Sequence, residues 1–129
     1  MSLSDIPKTV TKEYLDKNPN HIFVFGDNTI REGRGGAAIL RDHPQSYGFI
    51  TKKYPTYIPT AFYTPEQYTP IFNQEVDKLL KHIEQNKDKT YLISAIGAGL
   101  ANKFNIFEKV INPSMKNLIK PSDRVIYLW

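Results

Sequence analysis

Two short apolar runs constrain this chain more than anything else in it. One is Ile22-Phe23-Val24-Phe25, and the other is the stretch Tyr91-Leu92-Ile93-Ser94-Ala95-Ile96 that follows Thr90. A strand that is apolar on both faces must be covered on both faces, as in the middle of a parallel sheet. Each run ends in glycine. The first enters Gly26-Asp27-Asn28, and the second enters Gly97-Ala98-Gly99-Leu100-Ala101-Asn102. A further cluster, Gly33-Arg34-Gly35-Gly36, follows the first run and opens Ala37-Ala38-Ile39-Leu40.

The segments between these runs read as helices and turns. Residues 11–18 form a short helix candidate, capped by Thr11 and stopped by Asn18-Pro19-Asn20. Residues 34–41 follow the glycines as a second helix, ended by His43-Pro44. Residues 47–51 are a candidate strand. Residues 52–64 read as loop, and Tyr54, Tyr57 and Tyr63 there form either an aromatic wall of a site or a packed loop. Thr64, Pro65 and Gln67 spell a capping box with proline at the first helical position. Phe72, Val76, Leu79, Leu80 and Ile83 then recur at helical spacing. Residues 105–118 continue as helix, with Pro113 bending it or splitting it at Asn112. Residues 124–128 are a last strand. The alternation predicts an α/β fold in three layers, a mostly parallel central sheet with helices on both faces and right-handed crossovers.

Composition narrows the function classes. At 129 residues the expectation is a single domain over 1–129. The net charge of +4 favours anionic partners but forms no basic run, so a dedicated nucleic-acid tail is not expected. The chain has no cysteine, which excludes disulfides, cysteine zinc sites and thiol nucleophiles. His21, His43 and His82 are scattered, and no HExxH or HxH spacing brings them to a metal; no metal or cofactor is expected. No apolar run approaches the roughly 20 residues of a membrane helix, and no signal pattern opens the chain. The expectation is a soluble, cytoplasmic protein with no membrane partner; its oligomeric state is unspecified.

The glycine loops are the candidate site. Both follow the carboxyl end of an expected strand and precede an expected helix, where ligands bind in open parallel sheets. Free N–H groups at a helix start attract anions, and glycine lets a ligand approach the backbone. Two such loops can close on a diphosphate from two sides; equally, the glycines can serve only sharp turns. Neither loop is a dinucleotide GxGxxG fingerprint, and no GKS or GKT makes a P-loop. Asn28 is placed to bond a ribose hydroxyl or orient a water, and Asp27 to act as general base; both residue types also favour plain turns. Arg31 and Arg34 either pair with phosphate or are solvated. His43 is read as a cap, Asn105 as the cap of the following helix, and Phe104 either stacks on a ligand or packs under that helix.

At these loops the chain resembles a known pattern. "VFGDN", then "GRGGAAILRD", then "AIGAGLANKFN" are similar to the compact macro-domain-like proteins of phages and bacteria. The resemblance covers residues 21–42 and 91–105 and the order of elements. It implies a domain that binds ADP-ribose or a related nucleotide and in some relatives hydrolyses an ADP-ribose linkage. It matches Asn28 to the ribose-facing asparagine, with Asp27 beside it as a possible base. Gly33, Gly35, Gly36 and Ala37 then match the diphosphate loop, and Gly26 and Arg34 beside it are expected to bind the ligand too. Gly97, Ala98, Gly99, Leu100 and Ala101 form the covering loop, with Phe104 at its end. "FGDN" stands where the family has "NAAN", and the acidic residues upstream of the first strand, Asp5 and Asp16, match the adenine-reading position poorly. Two other functions stay open: a non-catalytic binder or sensor of a signalling nucleotide, and a nucleic-acid or protein interaction module.

Overall fold

In the computed structural model, which describes residues 9–129, β1 (His21–Asn28) runs between two parallel neighbours. On one side lies β2 (Ser46–Lys52), with Phe25 opposite Gly48. On the other lies β3 (Thr90–Ile93), with Ile22 opposite Tyr91. β4 (Val125–Tyr127) pairs with the far side of β3, so the order is β2-β1-β3-β4 and all four strands are parallel. The double-sided apolar runs are the two central strands, as their composition requires.

Alternation along β1 and β3 divides the core in two. Ile22, Val24, Tyr91 and Ile93 face one side, together with Phe49 of β2. There they pack under α2 (Pro65–Gln85) and α3 (Asn112–Leu118) through Phe72, Val76, Leu79 and Met115. Phe23, Phe25 and Leu92 face the other side, against Leu15 of α1 (Lys12–Lys17) and Ala38. The protein is thus an α/β fold with a parallel sheet packed on both faces.

The capping chemistry is where the sequence puts it. Thr11 Oγ1 accepts from the Tyr14 N–H at 3.1 Å, and the Thr64–Gln67 box closes reciprocally at 3.1 and 3.3 Å. Pro113 divides the late helix: residues Phe107–Ile111 form a wide π turn and α3 starts at Asn112. No helix among the described residues is long and apolar enough to cross a membrane.

Two expectations are corrected. The helix expected over 34–41 is a single 3-10 turn, Gly36–Leu40, because Gly36 sits at φ +58° and only five residues follow a helical path. The strand expected over 90–96 stops at Ile93. Beyond it, Ser94 turns its hydroxyl back to donate to the Val24 carbonyl at 2.8 Å.

The outer edge of β2 is satisfied by side chains from α2. The Ile50 N–H donates to Glu75 Oε1 at 2.6 Å, and Tyr68 Oη donates to the Ile50 carbonyl at 2.7 Å. Glu75 and Tyr68 are both buried there. Asp5 lies outside the described residues.

Candidate functional site

At the carboxyl ends of β1 and β3 the backbone opens into a cleft of about 430 Å³. Gly33, Gly35, Gly36 and Ala37 line it from the first loop, and Gly97, Gly99, Leu100 and Ala101 line it from the second. Gly26 forms part of its floor. The two loops belong to one concavity because the strands they leave are hydrogen-bonded neighbours.

Glycine is required at specific points. A Cβ on Gly97, which sits at φ +79°, would lie 2.5 Å from Ile111 Cδ1. That residue therefore lets the second loop turn over the core. A Cβ on Gly35 would lie 2.9 Å from Leu100 Cδ1, so the two loops touch across the mouth. Gly99 has nothing within 4 Å of its Cβ position, and its backbone is open to the cleft.

Asn28 is buried, and its amide is occupied by the loop itself. Nδ2 donates to the Glu32 carbonyl at 2.7 Å, and Oδ1 accepts from the Ile30 N–H at 3.2 Å. This is the side-chain-to-backbone bonding typical of asparagine in turns. Asp27 is also buried, and both its oxygens are taken. Oδ1 pairs with Arg41 at 2.7 Å and also accepts from the Asn28 N–H at 2.8 Å, while Oδ2 pairs with Arg31 at 3.0 Å. Gly48 leaves room for this pair, since a Cβ there would lie 2.3 Å from Asp27 Oδ2. In this arrangement Asp27 is the counterion of two guanidiniums, and both its oxygens are engaged by the protein.

Arg41 was not singled out by its position in the sequence, yet it organises the first loop. Its Nε donates to the Gly33 carbonyl at 2.8 Å and one terminal N–H to the Glu32 carbonyl at 3.0 Å. Its guanidinium also lies 5.4 Å from the centre of the Phe25 ring. Arg34, exposed at the rim, pairs with Asp42.

Other expected residues fall elsewhere. Phe104 is not in the cleft wall; its ring meets Phe62 edge-on at 6.5 Å. Ala98 is likewise outside the wall. Asn102, not Asn105, caps the turn that follows, its Oδ1 accepting from the Phe107 N–H at 3.0 Å. Asn105 instead takes a left-handed conformation, φ +62°. Of the three loop tyrosines, only Tyr57 lines the cleft; Tyr63 is buried against Tyr68, and Tyr54 is exposed away from it. His43 Nε2 bonds Asp16 at 2.8 Å while its Nδ1 accepts from the Gln45 N–H, a local brace. Asp16 is further paired with Lys12 at 2.6 Å.

Sequence reasoning missed Glu32, Arg41, Thr51, Lys52 and Pro55, together with Ala38 and residues 94–96. Position at the carboxyl end of the 47–51 strand was the available signal for Thr51 and Lys52. The search of curated proteins and the search of solved structures each return no match. A family model described as a family of unknown function (DUF7831) matches residues 6–119. That span takes in every strand except β4 and every residue of the cleft, and the chain belongs to the DUF7831 family.

Proposed function

We propose that the cleft binds a nucleotide diphosphate, ADP-ribose or a derivative, with the diphosphate between the two glycine loops. The observation that carries this reading is the convergence of two bare backbone loops on one concavity at the carboxyl ends of adjacent parallel strands. Backbone N–H groups in such loops favour anions. The resemblance to macro-domain-like proteins points to the same ligand class. Titration calorimetry with ADP-ribose tests it: saturable heat at micromolar ligand is expected. A folded protein giving no heat at high micromolar ligand would end the reading.

Between hydrolase and binder, the geometry favours the binder. Asn28 and Asp27, the residues expected to position a water and take its proton, are engaged in holding the loop and two arginines. The expected outcome is that ADP-ribose incubated with the protein is recovered intact. Release of ADP-ribose from a modified protein, or of phosphate from ADP-ribose phosphate, would favour the hydrolase instead.

A further inference from the structure

Lys52 closes β2 and lines the same cleft. An extra residue in β2, Thr51, shifts the register between Asp27 and Asn28 and sets Lys52 opposite Asn28. Only 8% of the residue is exposed. Its ammonium lies 4.5 Å from the centre of the Phe62 ring and 4.7 Å from that of Tyr57. Among the described residues it has no carboxylate partner and no hydrogen-bond acceptor, unlike the other cations lining the cleft. Arg41 and the neighbouring Arg31 share Asp27, and Arg34 pairs with Asp42.

An ammonium partly withdrawn from water without a counterion is unfavourable. Aromatic faces attract it but replace little of the lost hydration. Burial accordingly holds its pKa below the usual lysine value. The local charge is already tilted the same way, because one Asp27 carboxylate faces two guanidiniums. The one other acidic residue lining the cleft, Glu32, is exposed. The Lys52 ammonium therefore meets the cleft as a cation without a counterion among the described residues.

We propose that Lys52 is the anion anchor of the cleft, its ammonium taking a phosphoryl oxygen of a phosphate-bearing ligand while Tyr57 and Phe62 hold it in place. The inference rests on the reading of this cleft as a diphosphate site, and it identifies the side chain that reads the charge. An ammonium in an aromatic pair has three donors and rotational freedom, which suits one oxygen of a tetrahedral group. The glycine loops then contribute backbone N–H groups, and Lys52 the one cationic side chain lining the cleft that has no carboxylate partner among the described residues.

The test uses calorimetry on the wild-type chain and on Lys52→Met, with inorganic pyrophosphate and ADP-ribose as separate probes. Lys52→Met removes a charge that has no counterion and keeps the length of the stem, so its melting temperature is expected at or above that of wild type. Both probes are expected to bind wild type and to lose at least tenfold in affinity in Lys52→Met. Lys52→Gln serves as a second neutral variant should Lys52→Met lower the melting temperature, and the same loss is expected. Pyrophosphate binding that depends on Lys52, without ADP-ribose binding, would uphold the anchor and end the ADP-ribose reading. Equal ADP-ribose affinity in wild type and both variants would uphold the ligand and overturn the anchor. Failure of both probes to bind wild type overturns both.

Discussion

Arg41 and Asp27 meet at 2.7 Å beneath the first glycine loop, and the same guanidinium reaches the carbonyls of Glu32 and Gly33. One arginine therefore joins the end of β1 to the loop that leaves it. Replacing Arg41 by methionine leaves the Asp27 carboxylate buried with only the half-exposed Arg31. Breaking a buried ion pair from one side costs about 3–5 kcal/mol, and Arg31 retains part of it. A loss of about 2–4 kcal/mol is expected for Arg41→Met, read as a lower urea midpoint at unchanged slope. A midpoint equal to wild type would show that the pair holds nothing.

Asn28 separates a structural role from a catalytic one. Its amide braces residues 28–32 through three bonds, to the Glu32 carbonyl and from the Ile30 and Glu32 N–H groups. Asn28→Ala leaves those backbone groups without their partners, which costs roughly 1–3 kcal/mol. Thermal unfolding is the measurement. A variant as stable as wild type but inactive on an ADP-ribose linkage would return Asn28 to the role of positioning water.

The second glycine loop provides an internal comparison. Gly97→Ala forces a Cβ into Ile111 from a left-handed backbone, so the variant is expected to be strongly destabilised or to fail to fold. Gly99→Ala meets open space. Its stability is expected within about 1 kcal/mol of wild type, on the favourable side, because alanine restricts the unfolded chain. Circular dichroism melts of the two variants decide it, and equal melts would contradict the contact geometry.

Tyrosine ionisation gives a pH dependence with a definite sign. Burial pushes the Tyr91 phenol up to about 12, and burial raises Tyr127 and Tyr68 as well. An unfolded tyrosine ionises near pH 10. Between about pH 10 and about pH 12 the unfolded chain has therefore lost protons that the folded chain still holds. Raising the pH through that window favours unfolding, and the stabilisation present below pH 10 is lost progressively. Absorbance at an ultraviolet wavelength specific for tyrosinate is expected to rise in two stages, the second coming from Tyr91, Tyr127 and Tyr68. The second stage should coincide with unfolding; a single stage near pH 10 with the fold intact would contradict the burial of Tyr91.

Much of the architecture was legible because it rests on local signals. The apolar runs at 22–25 and 91–93 announce central strands, Thr64-Pro65-Gln67 announces a helix start, and Pro113 announces a break. The sequence at 34–41 reads as helix because alanine and leucine favour it, yet only a turn at 36–40 forms, since Gly36 at φ +58° cannot begin a helix smoothly. At the cleft, the glycines could be found by their place after the strands. For Lys52 the strand end was the one signal and for Arg41 there was none, because their roles depend on how the intervening turns fold Phe62, Tyr57, Asp27 and Glu32 back onto them. Asp27 and Asn28 had turn and catalytic readings that differ only in whether their polar atoms are already partnered, a matter of three-dimensional contacts.

The bonds from Glu75 and Tyr68 to Ile50 bear on more than the stability of β2. Across the sheet, Val125 in β4 exchanges both its outward backbone bonds with Ser122, at 3.0 and 3.2 Å. At these positions each outer strand presents groups that are already engaged. A foreign extended peptide finds no free ladder there to copy, so fibril-like growth or strand exchange would first have to break a buried carboxylate contact on one side or a turn on the other.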